Sequence, residues 1–328
     1  MLKSSADIDE IKKEIKIRAD VINSVINKYL KIQSPENLYK AVRHLIDAGG
    51  KRLRPTLCLI STEAIEEDWN KILPAAAAIE IIHNFTLIHD DIMDRDVMRR
   101  GVPTVHTVFG ESTAILAGDT LFAKAFEIMT ECDVDSKHLI KGVKLLADVC
   151  VKICEGQYLD LSFEKRDTVT EEEYFEMIER KTAHLIAASC ALPAVLFGKK
   201  DKIVNALWNF GLFSGIGFQI HDDVLDLIGK DKIGKDWGSD LVEGKKTLII
   251  LKAQEMGVEI EIFGKGKASE DEIKKAVNKL LECGAIDYAR SKAMEYVEKA
   301  KKELNVLKDS AAKNLLIKIA EYLVTREY

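Results

Sequence analysis

Three features of the sequence predict an all-α fold. Only five of its 328 residues are proline. Long stretches are dominated by Ala, Leu, Ile, Lys and Glu, a composition that favours helix over sheet. Apolar residues recur at i, i+3 and i+4 and do not alternate as a half-buried strand would. With 47% hydrophobic residues, the chain can bury a substantial core.

Taken in order, the first readable helix start is Ser34-Pro35, an N-cap followed by proline at the first helical position. Apolar-periodic segments then cover 73–88, 113–129 and 139–163. Thr170-x-x-Glu173 is a capping box opening a segment that runs to Phe197, and 206–227 continues the pattern. A second capping box, Ser269-x-x-Glu272, opens the periodic stretch that fills the rest of the chain. Ten or more helices are expected. No Pro-, Gly- or Ser-rich linker divides them and no repeat is apparent, so residues 1–328 read as a single domain. Two connections stand out, 94–110 and 229–246, each polar, punctuated by glycine and too long for a plain turn.

A formal charge of −6 gives no broad electrostatic reason to bind nucleic acid, so any anion must be held locally. The six cysteines form no C-x-x-C pair and suggest neither a zinc site nor a disulfide framework; Cys150 and Cys154 share a helix face but read as small buried residues. The opening MLKSSADIDEIKKEIK is charged throughout and lacks the apolar core of a secretory signal, which points to the cytoplasm. The most membrane-like stretch, 182–198, is shorter than the roughly 20 apolar residues of a span and contains His184 and Pro193, so a buried core helix is expected there.

The chemistry-bearing signal is a duplicated cluster, Asp90-Asp91-Ile92-Met93-Asp94 and Asp222-Asp223-Val224-Leu225-Asp226. On a helix, Asp90 and Asp94 lie on one face a turn apart, with Asp91 adjoining the same stripe. Three carboxylates so close raise one another's pKa and call for a cation. Oxygen-only ligands select a hard ion, magnesium first, whose shell is commonly completed by water and substrate phosphates.

A metal-bound anion also needs cations from the other side, and phosphate oxygens prefer Arg forks and Lys ammonium groups. Gly49-Gly50-Lys51-Arg52-Leu53-Arg54-Pro55 supplies three. Arg99-Arg100-Gly101 follows the first cluster, and Lys235, Lys245 and Lys246 follow the second. Lys181-Thr182 stands before an apolar run, and His83 lies two turns below Asp90 on the same helix.

With Leu116-Ala117-Gly118-Asp119, Glu155-Gly156-Gln157, Gly217-Phe218-Gln219-Ile220 and Gly244-Lys245-Lys246-Thr247, the set resembles the trans-type isoprenyl diphosphate synthases. The resemblance runs from about Tyr39 to Thr247 in order and spacing. It implies a large helical bundle of the isoprenoid synthase type with a central substrate cavity, and a homodimer. It further implies that Asp90 and Asp94, with help from Asp91, hold two magnesium ions on the diphosphate of an allylic substrate, while Asp222 anchors a third. Arg99, Lys181, Thr182, Gln219, Lys235 and Lys245 would contact that diphosphate; Lys51, Arg54, His83 and Arg100 would bind isopentenyl diphosphate. Asp90, Asp94, Asp222, Lys181 and Lys235 form the expected catalytic set.

The implied reaction breaks the allylic carbon–oxygen bond. Isopentenyl diphosphate then attacks the resulting cation, and loss of a proton gives a chain five carbons longer. No side chain stands out as the base, a role the family usually gives to the departing pyrophosphate. The segment 229–246, with four glycines, reads as a lid that excludes water. Product length should depend on what blocks the tunnel below the first cluster, where each helical turn drops about 5.4 Å. Phe85 and Thr86 lie about one turn down and Ile82 another turn below. A bulky Phe85, with only Ile92-Met93 between Asp91 and Asp94, looks like archaeal-type geranylgeranyl diphosphate synthases and implies a twenty-carbon product; a farnesyl-producing or bifunctional enzyme is the alternative. Asp236-Trp237 after Lys235 departs from the family's smaller or proline-containing pairs.

Three rival readings meet specific obstacles. A cyclising terpene synthase needs no second diphosphate site such as Lys51, Arg54 and Arg100 would form. An HD-type metal phosphohydrolase, suggested by His83 and His89-Asp90, leaves 222–226 unexplained. A non-catalytic regulatory subunit would be expected to have lost some of these carboxylates or cations.

Overall fold

A computed structural model of the chain describes residues 5–229 and 237–326. Fifteen α-helices occur among them: α1 (Ser5–Tyr29), α2 (Glu36–Asp47), α3 (Leu53–Ala64), α4 (Leu73–Met93), α5 (Val105–Phe109), α6 (Glu111–Met129), α7 (Ser136–Phe163), α8 (Glu171–Ile178), α9 (His184–Leu196), α10 (Asp201–Ile228), α11 (Ser239–Glu243), α12 (Leu248–Glu255), α13 (Glu270–Glu282), α14 (Ala285–Glu303) and α15 (Ala311–Thr325). Both capping boxes form as the sequence predicts, at Thr170 and Ser269. The expected cap at Ser34 does not. Pro35 takes the N-cap of α2 with ψ 124° and no side-chain cap, its carbonyl accepting from Leu38 and Tyr39. An N-cap needs extended ψ, which proline allows, and Glu36 supplies negative charge to the first turn.

Two further departures matter for the site. The stretch expected as one helix from Thr170 to Phe197 is interrupted by a π-helical turn over Glu179–Ala183, a distortion that recurs at functional sites because it re-aims neighbouring side chains. The 94–110 connection is ordered as a small antiparallel hairpin, β1 (Met98–Arg99) and β2 (Val102–Pro103). Its two central residues, Arg100 and Gly101, have φ of 53° and 77°, the left-handed pair that matches a two-residue hairpin to strand twist.

Helix α4 carries Pro74 in its first turn and is buried from Pro74 to Ile82; it packs most extensively on α6, where Gly118 leaves room for the His89 ring. Helix α10 packs on α9 and α14. Gly211 and Gly215 bring the α10 and α9 backbones together, since a Cβ at Gly211 would lie 2.6 Å from Ala187 Cα and one at Gly215 2.7 Å from Ala183 Cα. Two apolar clusters result, one joining α2, α4 and α6 and the other α10, α12, α14 and α15. The segments 69–93 and 201–228, rather than 182–198, are long and apolar enough to cross a membrane by length and composition. Both are built into these two clusters and end in the aspartates, which accounts for their apolarity without a membrane.

Candidate active site

The last turns of α4 and α10 border one cavity of about 610 Å³. From α4, His83, Thr86, Leu87, Asp90 and Asp94 line it, the i, i+3, i+4 stripe of a single helix face. Among the described residues, neither the Asp90 nor the Asp94 carboxylate has a hydrogen bond or ion pair. Burial pushes the Asp90 carboxyl up to about 6; nearby Lys181 opposes the rise and Asp94 adds to it. Such carboxylates await a cation.

Asp91 faces elsewhere. One residue turns a helix by about 100°, and Asp91 is fully buried, accepting from Arg99 Nε at 2.6 Å while Arg99 Nη2 donates to Asp96 at 2.8 Å. The hairpin thus folds back on the helix end it follows. Arg100, next in sequence, donates to the carbonyls of Leu45 (2.9 Å) and Gly49 (2.5 Å) and to Asn84 Oδ1 (3.0 Å). A buried ion pair lies beneath, with Arg52 Nη1 2.9 Å from Glu80 Oε1; Glu80 also accepts from Asn84. This network braces the glycine loop that carries Lys51, and with it the start of α3 that carries Arg54, at the cavity wall. Arg54 Nη1 lies 3.4 Å from His83 Nε2. Burial, and then the cations Arg54, Arg100, Arg99 and Arg52, hold His83 well below its ordinary pKa, so the ring is neutral and Nε2 accepts. Burial lowers the Lys51 pKa, helped by repulsion from Arg326.

On the opposite wall, α7 approaches the π turn so closely that a Cβ at Gly156 would lie 2.3 Å from the Lys181 backbone nitrogen. That approach sets Lys181 Nζ 2.6 Å from Asp160 Oδ2. Burial alone would lower the Lys181 pKa, but the attraction of Asp160, Asp90 and Asp94 raises it on balance. Thr182 Oγ1 donates to Gln219 Oε1 at 2.8 Å, and Gln219 Nε2 to Asp223 Oδ1 at 2.9 Å. Tyr174 OH donates to Asp223 Oδ2 at 2.7 Å. Burial and the neighbouring Asp240 push Asp223 up to about 8 against these two donors. Asp222 pairs with Arg326, and Asp226 accepts from Ser239 Oγ and the Asp240 amide, each at 3.3 Å. Lys245 lies 3.8 Å from Asp240 and 3.6 Å from Glu243. Burial acts to lower its pKa, yet Asp240 and Asp94 hold it well above the ordinary lysine value.

The structure therefore gathers Lys51, Arg54, His83, Thr86, Asp90, Asp94, Arg99, Lys181, Thr182, Gln219, Asp222 and Lys245 around one cavity. Lys235, with the rest of 230–236 in the expected lid, lies outside the described residues. Three expected residues do not reach the described wall. Asp91 is turned onto Arg99, and Arg100 onto the glycine loop. Phe85 lies five residues before Asp90, about 140° around the helix from it, and packs on Phe122 of α6 and on His89 with ring centroids 5.2 and 4.9 Å apart; Thr86, four before, stays on the cavity side.

Sequence reasoning missed Asp160, Tyr174, Asp240 and Arg326 and gave Asp226 no site role, yet all five line the cavity. Asp160 was within reach, one helical turn after Gly156. Arg326 had no local signal, being 104 residues from its partner Asp222.

No group of three His, Cys, Asp or Glu among the described residues is placed to hold a metal ion by itself. The donor set still fits magnesium, which takes one or two carboxylates and completes its shell with water and phosphate oxygens. The unpaired Asp90 and Asp94 are such donors.

Residues 35–280 match the Polyprenyl synthetase family. The chain is 58% identical over 314 residues to the geranylgeranyl pyrophosphate synthase of Geoglobus acetivorans, covering 96% of this chain and 98% of that one. It is 50% identical over 316 residues to the geranylgeranyl diphosphate synthase of Methanosarcina mazei, covering 96% and 98%. The solved structure of the Geoglobus acetivorans protein superposes with a TM-score of 0.91 at 56% identity, covering 95% of this chain and 99% of that one.

Proposed function

Because the chain belongs to the polyprenyl synthetase family, we propose that it is a short-chain trans-prenyltransferase that condenses isopentenyl diphosphate with allylic diphosphates and releases geranylgeranyl diphosphate. The observation that carries this reading is the juxtaposition, in one cavity, of the unpaired carboxylates Asp90 and Asp94 with two separate cation sets. Lys181 and Lys245 neighbour the carboxylates; Lys51 and Arg54 stand with His83 on the glycine-loop side. A single-substrate phosphatase has no need of the second set.

Asp90 and Asp94 on one wall, and Asp222 with Asp226 on the other, would hold magnesium, three ions in all, on the allylic diphosphate. When bound, the metal neutralises the charge that develops on departing pyrophosphate. Lys181, fixed by Asp160, and Lys245, fixed by Asp240, supply oriented positive charge to the same oxygens. Thr182 and Gln219 hold Asp223 and thereby the pitch of the second cluster. Lys51 and Arg54 fix the diphosphate of isopentenyl diphosphate, with neutral His83 accepting from Arg54 and Arg100 bracing the loop. The double bond then attacks the allylic cation, and the proton leaves to pyrophosphate.

Thr86 on the wall and Phe85 behind it, stacked on Phe122, form the block beneath the growing chain. Exposed Ile115, Leu116 and Phe122 on α6, and Ile140 and Val151 on α7, supply apolar surface of the kind a homodimer would bury. We assign the enzyme to the cytoplasm, where both substrates are water-soluble diphosphates. Purified protein incubated with magnesium, isopentenyl diphosphate and dimethylallyl, geranyl or farnesyl diphosphate should give a twenty-carbon product by mass spectrometry; no elongation of any primer overturns the proposal. Phe85→Ser should shift products beyond twenty carbons, and an unchanged distribution removes Phe85 from the block.

A further inference from the structure

Two consecutive lysines, Lys245 and Lys246, line the cavity from the turn between α11 and α12, and they are held in different ways. Lys245 leans on the carboxylates of Asp240 and Glu243, which offset its charge. Lys246 has no carboxylate partner among the described residues; its Nζ stands over the Phe263 ring, 4.7 Å from the centroid. Phe263 belongs to the segment 257–266 between α12 and α13, which is clipped to α11 through the backbone. The Gly264 amide donates to the Leu241 carbonyl at 3.2 Å and the Gly266 amide to the Val242 carbonyl at 2.9 Å. Gly244, at φ 85°, and Gly264 meet so closely that a Cβ on Gly244 would lie 2.9 Å from Gly264 Cα. The ring is therefore fixed relative to the turn that carries Lys246.

Resting on the prenyltransferase reading, we propose that Lys246 captures the diphosphate of the allylic substrate as it enters the cavity, and that Phe263 is its positioning residue. A π face attracts an ammonium group without cancelling its charge, whereas a carboxylate neutralises it. Lys246 therefore presents a net positive charge to the cavity and can turn to a phosphate oxygen without breaking an ion pair. Its turn sits on the wall of Lys245, the side assigned to the allylic diphosphate, and not on the glycine-loop side of Lys51 and Arg54. The allylic substrate is accordingly the one it serves. Its half-buried position leaves the attraction open to screening by salt.

The test uses the full chain in steady-state assays and, without turnover, in calorimetric titration with Mg2+ and inorganic pyrophosphate. Lys246→Gln should raise KM for farnesyl diphosphate about fivefold and weaken pyrophosphate binding about as much, while kcat and the KM for isopentenyl diphosphate change by less than about twofold. Lys246→Arg, which also stacks on an aromatic face, should recover most of both losses. Phe263→Leu keeps apolar packing and removes the π face; it should raise the same KM about twofold to threefold, and adding it to Lys246→Gln should change nothing further. In about 0.5 M KCl the gap between wild type and Lys246→Gln should shrink to less than about twofold. An unchanged KM for farnesyl diphosphate in Lys246→Gln, or equal losses for both substrates, overturns the capture role. Additive effects of the two substitutions overturn the link to Phe263. Circular dichroism confirms that each variant is folded. Failure of the wild type to elongate any primer counts against the prenyltransferase reading, whereas the pyrophosphate titration still decides whether Lys246 binds a diphosphate.

Discussion

The aspartate clusters at the ends of α4 and α10 share one five-residue pattern but stand in opposite electrical states. At the end of α4, Asp90 and Asp94 face the cavity with no partner among the described residues, and only Asp91 is engaged, by Arg99. At the end of α10 every carboxylate already has protein partners: Arg326 on Asp222, Tyr174 and Gln219 on Asp223, and Ser239 with the Asp240 amide on Asp226. A motif specifies where carboxylates point; what surrounds it decides whether they are free to bind. The first cluster stands open to a cation, whereas the carboxylates of the second are already engaged by the protein.

The largest effect should come from striking the open cluster. Asp90→Ala or Asp94→Ala should lower kcat about a thousandfold, and Asp222→Ala about a hundredfold, in steady-state assays at saturating magnesium. Equal losses would erase the proposed inequality of the two walls. Next comes the clamp that separates Asp91 from its neighbours. Arg99→Ala takes a charged partner from the fully buried Asp91 and should cost about 2–3 kcal/mol in urea denaturation, with Asp91→Asn in the same chain restoring part of it. If the second substitution restores nothing, Asp91 is not the group that Arg99 serves.

Within the second cluster, Tyr174→Phe removes a donor to the buried Asp223 and should cost about 2 kcal/mol by the same measurement; no loss would mean that Gln219 alone satisfies Asp223. The smallest effect concerns His83, the cation-side neighbour of the open cluster. Its folded pKa is depressed by burial and then by the surrounding arginines, so below its ordinary value of 6.5 the unfolded chain binds the extra proton. Its contribution to stability is present above pH 6.5 and is lost as pH falls toward the depressed value, at no more than about 1.4 kcal/mol per pH unit. His83→Asn should flatten that part of the stability–pH curve, and an unchanged slope would show that His83 titrates normally.

Much of the molecule was legible in the chain itself. Apolar recurrence located α4, α6, α7 and α10 to within a few residues, and both capping boxes formed, because these signals are local: a helix face and a cap are decided by residues at most four positions apart. The duplicated aspartates and the cation clusters were equally plain. Local spacing did not reveal the π turn, which arises where α7 crosses at Gly156 and pins the Lys181 backbone.

What the sequence by itself determined was the set of elements and the kinds of side chain available to one cavity. Only the tertiary structure decided which of them face it. Asp91 left the wall for Arg99, Arg100 for the carbonyls of Leu45 and Gly49, and Phe85 for Phe122, while Asp160, Asp240 and Arg326 entered. The physical reason is that a buried charge must be met by whatever partner packing brings within about 3 Å, and for Asp222 that partner comes from 104 residues away.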